Sequence, residues 1–362
     1  MSRLRIFGVP TQTGIGTHSQ SIFEICMRYK FSKFEFEFYN CQSPHEVSQA
    51  IETSDNSDVN IYFLPELFAS DLKGLNIYYC VFEASRPSPG YEHWLDRFDY
   101  IFSPSEWGKE CMIGYGVPSE KIFVIPEGVD PYSYHPYKIN ARSSDPFRIF
   151  MLGKYESRKG YEVALEAFKL AHIQLPHIEL NIKPDWATPN GGIIPKEFLD
   201  LSGKYKELPI VLMSGTVDQS TLINLYQRSD LFLFPSLCEG WGLPLIEAIA
   251  CGVPVLSCNY GGHSEFLKSI DEFYFKIPYE LSAVNCDKWK QAYFHQDGDW
   301  GNWATIDPVI LAQCIVDAVR SESRYSMGIQ ASKIIRAEFS WAHSVERMIH
   351  QIDSLVEKNT PI

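Results

Sequence analysis

The stretch Leu231–Val255 constrains this chain more than any other. Leu231–Phe234 is an apolar run short enough to be a buried parallel strand, and Pro235 and Ser236 close it. A loop then carries Glu239 between Cys238 and Gly240, and Gly240 and Gly242 bare the backbone on either side of Trp241. Pro244 suits the first turn of a helix, where its missing N–H costs nothing. The helix reads as Leu245–Cys251, stops at Gly252, and the next strand starts at Val253. A strand feeding a helix through bare backbone is the repeating unit of an α/β domain with a parallel sheet. Its free N–H groups and positive dipole end suit a phosphate. Glu239 and Glu247 flank that point, and each can accept hydrogen bonds from sugar or ribose hydroxyls. The same spacing also fits an ordinary strand–loop–helix unit with two surface glutamates, so spacing alone does not choose.

A chain of 362 residues suggests two domains, and 45% hydrophobic with 21% charged residues is a soluble globular composition. The net charge of −13 disfavours nucleic acid or anionic lipid as a partner. Nine cysteines without a Cys-x-x-Cys pair point to reduced thiols in a cytoplasmic setting. The histidines show no zinc-site spacing, and Met1–Val9 is too soon interrupted for a signal peptide. No apolar run reaches the ~20 residues of a membrane span.

In chain order, Leu4–Val9 reads as a strand, Gly14-Ile15-Gly16 as part of a tight turn, and His18–Tyr29 as a helix. Ser19 occupies the third glycine position of the dinucleotide fingerprint, so a nicotinamide dehydrogenase is poorly supported. Phe34, Phe36 and Phe38 alternate with glutamates, as in a half-buried strand. The strand Ile77–Phe82 would deliver Glu83 and Arg86 at its carboxyl end, where open α/β sheets bind ligands. After a strand at Ile122–Ile125, Tyr132–Pro146 loses all periodicity and reads as a linker. A second series follows: a strand at Phe147–Leu152, a turn holding Lys154, Arg158 and Lys159, and a helix from Tyr161. Three cations within six positions of an acidic chain suit a diphosphate, although a solvated basic turn would look the same. Gly215 and Thr216 end another strand and could contact a base or phosphate; His263 and Glu265 follow a third glycine turn. Trp289, Tyr293, Phe294, Trp300 and Trp303 crowd a polar segment and read as pins for an insertion rather than as a sugar platform.

Two such series imply two doubly wound, Rossmann-like α/β domains facing a cleft, with boundaries at 1–138 and 139–339 and a last helix, about 340–357, packing back on the first. The run Pro235–Val255 resembles the signature of the family 4 retaining glycosyltransferases of the GT-B fold (glycosyl transferases group 1): Glu-Gly-aromatic-Gly-Leu-Pro followed by Glu-Ala-x-Ala-x-Gly-x-Pro-Val. Gly14-Ile-Gly16, Ser103–Trp107, Val124–Asp130, Arg158–Gly160 and Gly261-Gly262 agree in order, so the resemblance spans most of the chain. Phe82–Pro87 is similar to a branch of the family with an acid-bearing loop there.

The resemblance implies that Glu247 binds ribose hydroxyls, Glu239 holds donor-sugar hydroxyls, and Lys159 neutralises the donor diphosphate. Lys154 stands where the family usually has Arg, which keeps the charge but loses the bidentate fork, and Arg158 is the candidate to compensate. Gly14 and Gly16, with Gly215, Thr216 and the backbone at Gly240, Trp241, Gly242 and Leu243, complete the implied donor site. The resemblance also implies a first-domain histidine near the reacting sugar, whose position this sequence does not fix; His18, Glu83 and Arg86 are the acceptor-side candidates. The implied reaction moves a sugar from a UDP- or GDP-sugar to an acceptor hydroxyl with retention, without a metal or other cofactor. The acceptor class (carbohydrate, lipid-linked, protein or small molecule) stays open, as does peripheral membrane contact. A non-catalytic nucleotide-sugar or glycan-binding module of the same fold is the alternative.

Overall fold

The computed structural model describes residues 2–9, 13–29, 31, 33–64, 71–87, 91–137, 146–184, 194–284 and 299–359. The chain divides into two compact units. One holds the chain up to Phe82, Arg86–Gly128 and everything from Phe339; the other holds Glu83–Ser85 and Val129–Glu338.

In the first unit the elements are β1 (Ser2–Gly8), α1 (Gly14–Tyr29), β2 (Phe34–Asn40), α2 (Pro44–Glu52), β3 (Val59–Tyr62), β4 (Leu75–Tyr79), α3 (Glu92–Leu95), β5 (Tyr100–Ser103), α4 (Glu106–Gly114) and β6 (Ile122–Val124). Among the described residues the strands form a parallel sheet in the order β2-β1-β3-β4-β5-β6. The central strands are near-continuous apolar runs, as burial on both faces requires. β2 is an edge strand; of its alternating phenylalanines only Phe34 is buried. Two boundaries differ from the sequence expectation. β4 stops at Tyr79, so Glu83 lies beyond the strand rather than at its end. α1 begins at Gly14, so Gly14 and Gly16 form the helix's first turn, with the Gly16 N–H donating to Thr13 Oγ1 at 3.1 Å.

The second unit has β7 (Phe147–Leu152), α5 (Tyr161–Gln174), β8 (Ile178–Lys183), α6 (Lys196–Ser202), β9 (Ile210–Leu212), α7 (Gln219–Gln227), β10 (Leu231–Phe234), α8 (Leu243–Ala250), β11 (Val255–Ser257), α9 (Ser264–Leu267) and β12 (Phe275–Lys276). An antiparallel ribbon of β13 (Glu280–Ala283) and β14 (Asn302–Thr305) follows, then α10 (Pro308–Arg320) and α11 (Arg324–Glu338). The described strands β7–β12 pair in parallel in the order β12-β11-β10-β7-β8-β9. Read from its other edge, that is the 3-2-1-4-5-6 order of a dinucleotide-binding sheet, with the switch between β7 and β10. Trp300 and Trp303 are buried, as pinning residues should be, while Trp289, Tyr293 and Phe294 lie outside the described residues. No periodicity in the sequence marks α11. Its buried face is Gly328, Ala331, Ser332 and Ile335, too small to show an apolar stripe. A Cβ on Gly328 would stand 2.5 Å from the Gly252 carbonyl oxygen, and Ser332 Oγ donates to the Ala250 carbonyl at 2.6 Å.

The last helix, α12 (Trp341–Asn359), returns to the first unit and packs on α1. Trp341, Val345, Met348, Ile349, Ile352 and Leu355 form its buried face at helical spacing. Its start presses on the turn at Gly128, where a Cβ would lie 2.3 Å from the Trp341 nitrogen. Neither backbone can yield there without shifting α12. Gly128→Ala should therefore lower stability by about 2 kcal/mol or more, read from urea unfolding; an unchanged midpoint would contradict this packing.

Candidate active site

Ligands of open α/β sheets bind beyond the carboxyl ends of the strands at the switch point. In the second unit that point receives two loops, 153–160 from β7 and 235–242 from β10. Glycine brings them into backbone contact. Gly160 has φ +69°, and a Cβ there would lie 2.2 Å from the Pro235 carbonyl oxygen. The Leu237 N–H donates to the Arg158 carbonyl at 2.6 Å. A third loop clamps the second: the Gly262 N–H donates to the Glu239 carbonyl at 2.7 Å, and a Cβ on Gly261 would meet that same oxygen.

Charged side chains meet on this backbone lock. Glu239 accepts from Lys159 Nζ at 2.5 Å through one oxygen and from Arg158 Nη1 at 2.8 Å through the other. Burial opposes its ionisation, but the adjacent Lys159 and Arg158 charges outweigh it and hold the carboxyl at about 2. The second terminal nitrogen of Arg158 is bound to Glu83 at 2.5 Å and Glu156 at 2.8 Å. Both terminal nitrogens of the guanidinium are thus bound to carboxylates, rather than standing clear to replace the missing Arg fork at Lys154. Lys154 itself is half-buried and forms no ion pair among the described residues.

Glu247 sits in the second turn of α8 and accepts from the Tyr226 hydroxyl at 2.9 Å. Burial drives its carboxyl up to about 7, against hydrogen bonds from Tyr226 and Tyr134. α8 starts at Leu243, with Gly242 at φ +93° as its N-cap; the cap has no side chain and Pro244 lacks an N–H. The positive end of the helix is therefore left without an internal acceptor.

The remaining candidates divide clearly. Gly240 is buried, and the Trp241 indole packs edge-on against Phe266 at 5.1 Å, so Trp241 offers a ligand only its backbone. Gly215 has φ +90° and its carbonyl accepts from Lys183 Nζ; Thr216 beside it is exposed. Lys183 was missed in the sequence, where it looks like the polar end of a strand; it is 5% exposed, and burial lowers its pKa. His263 is a core residue held by the Cys258 carbonyl at 2.9 Å, and Glu265 pairs with Lys268.

Gly14, Gly16, His18 and Arg86 belong to the first unit, whereas Glu83 belongs to the second. His18 is buried against Phe63, Tyr79 and Trp341, with Nδ1 3.3 Å from Glu127 Oε1. Burial lowers the imidazole to about 3 and raises the Glu127 carboxyl well above its ordinary range, so it disfavours the charged form of both partners. Arg86 is exposed. Among the described residues no group of three or more His, Cys, Asp or Glu side chains is placed to hold a metal ion, and no helix is long and apolar enough to cross a membrane.

Residues 137–279, which carry the switch-point loops, match the family model for glycosyl transferases group 1. This segment belongs to that family. Among curated relatives, the D-inositol 3-phosphate glycosyltransferase of Paenarthrobacter aurescens is 28% identical over 171 residues, 45% of this chain and 40% of the relative. The chain thus spans less than half the length of the curated relatives it matches. The solved sucrose-phosphate synthase of Thermosynechococcus elongatus is 14% identical with a TM-score of 0.73, covering 99% of this chain and 100% of that one. HepE of Anabaena, solved with UDP and glucose, is 15% identical with a TM-score of 0.70, covering 98% and 100%. The fold around the group 1 segment is therefore of the GT-B type.

The two glutamates of the segment link stability to pH in opposite senses. Glu247, raised from 4.5 to about 7, contributes stability that is full below pH 4.5 and is lost as the pH rises to 7. Glu239, lowered from 4.5 to about 2, contributes stability that is full above pH 4.5 and is lost as the pH falls to 2. Glu247→Gln should flatten the decline between pH 4.5 and 7 in urea-unfolding stability; the same slope in wild type and variant would show that Glu247 does not titrate there.

Proposed function

We propose that this protein is a glycosyltransferase that moves a sugar from a UDP- or GDP-sugar to an acceptor hydroxyl, with retention at the anomeric carbon. The observation that carries the reading is the buried pair between Lys159 of the β7 loop and Glu239 of the loop that runs into the uncapped start of α8. A cation, a helix N-terminus and a carboxylate in one place match a diphosphate joined to a polyhydroxylated sugar. Glu247, held by Tyr226 one helical turn further on, is assigned to the ribose hydroxyls. Membership of the segment in glycosyl transferases group 1 supports the same reaction class. HepE, with its bound UDP and glucose, shows that the shared fold accommodates such ligands.

The chemical demand is to stabilise a departing diphosphate. Lys159 and the α8 backbone meet its charge, and a departing phosphate oxygen takes the acceptor proton on the same face, with no enzymic nucleophile. The positive charge comes from the protein, so we assign no metal to the step. Carbohydrate, lipid-linked, protein and small-molecule acceptors all present the hydroxyl that the reaction needs. Binding of the nucleotide sugar without turnover would instead favour the binding module of the same fold.

Screening UDP- and GDP-hexoses by mass spectrometry should reveal one whose sugar is slowly hydrolysed or transferred; no binding by any of them would overturn the proposal. Lys159→Ala should lower turnover about 100-fold or more, in line with the loss of one preorganised charge at a developing anion. It should weaken binding of the nucleoside diphosphate far more than that of the nucleoside, and equal losses would contradict a phosphate contact. Activity should persist in EDTA, and loss of activity restored by a divalent cation would contradict the metal-free step.

A further inference from the structure

Glu83 is the third carboxylate on the Arg158 guanidinium, and it differs from the other two. Its side chain is 26% exposed, against 7% for Glu156 and 5% for Glu239. Only Oε1 is bound, 2.5 Å from Arg158 Nη2; Oε2 holds no hydrogen bond among the described residues. Its loop is tied to β14 at two points. The Glu83 carbonyl accepts from the Trp303 indole N–H at 2.8 Å, and Ser85 Oγ accepts from the Asn302 N–H at 2.7 Å. The loop thus leaves the first unit for three residues and aims one acid at the group that holds Glu239.

Stability does not explain this arrangement. Arg158 is already neutralised by Glu239 and Glu156, and a third acid brings repulsion from both. Burial and those neighbouring charges raise the Glu83 carboxyl even though Arg158 and Lys159 pull it down. A group held where it is electrostatically strained, with one oxygen left over, is typical of a binding position.

We infer that Glu83 is a specificity-determining residue whose free oxygen accepts a hydrogen bond from a sugar hydroxyl, and that Arg158 is the positioning residue that sets Glu83 and Glu239 side by side. This rests on the proposed glycosyl transfer. The hydroxyl can belong to the transferred sugar or to a sugar acceptor, since both present the same chemistry beside Glu239.

The test compares wild type with Glu83→Gln, which keeps a hydrogen bond to Arg158. Calorimetry is run with UDP, GDP, UDP- and GDP-hexoses, and with free glucose added to the UDP-loaded protein. A transferred-sugar contact predicts that the hexose's gain in affinity over the bare diphosphate falls about 10-fold or more, with diphosphate binding unchanged. An acceptor contact predicts unchanged sugar-nucleotide binding and a comparable loss of glucose binding. Either result should come with a urea midpoint equal to or above that of wild type. If neither sugar affinity moves, the inference is overturned, and a lowered midpoint would then assign Glu83 to tying down the loop. Wild-type protein that binds no diphosphate and no sugar nucleotide would overturn the glycosyl-transfer reading itself, and this inference with it.

Discussion

The second unit depends on one close approach, the Gly160 turn against the Pro235 carbonyl. Any side chain at Gly160 would push the β7 and β10 loops apart, and the Leu237-to-Arg158 backbone bond would break. That bond sets where Arg158 and Lys159 meet Glu239. The consequence is electrostatic. Two cations and a carboxylate are taken almost wholly out of water here, and buried charges of this kind are tolerated only when each is paired in good geometry. Backbone fit therefore comes before charge: the ion pairs are affordable because the loops already hold their partners in place.

Glu239 and Glu247 show how little residue type alone says. Both are glutamates of one loop–helix segment, yet one is held at about 2 and the other raised to about 7. The difference lies in the neighbours. Glu239 faces Lys159 and Arg158, whereas Glu247 faces the neutral hydroxyls of Tyr226 and Tyr134 inside a largely apolar surround. Environments that push two carboxyls apart in this way mark separate tasks. In the proposed reaction, a permanently ionised Glu239 suits acceptance of hydrogen bonds from sugar hydroxyls, and a carboxyl near neutrality suits exchange of hydrogen bonds with ribose hydroxyls.

Much of this was legible in the sequence because glycines and short apolar runs report backbone geometry directly. Leu231–Phe234 and Phe147–Leu152 are the strands expected, and Gly242 and Gly252 are the left-handed positions that bound α8. What stayed hidden depended on long-range pairing. The membership of Glu83 in the second unit is decided by Trp303 and Asn302, more than two hundred residues away. Tyr226 reads as one apolar residue of α7, and only the fold shows its hydroxyl on Glu247. The glycines around Trp241 report its backbone, but only the fold shows its ring packed on Phe266. Lys183 carries no local motif; its bond to the Gly215 carbonyl exists only because β8 ends beside that turn.

The same geometry separates the three cations that the sequence grouped together. Arg158 has both terminal nitrogens committed to carboxylates, so a phosphate would have to displace an acid from a buried guanidinium. Lys159 is bound to one oxygen of Glu239 and has three N–H donors, so it can keep that partner and still turn donors towards an incoming phosphate. Lys154 is not bound to a carboxylate among the described residues and can approach as a point charge.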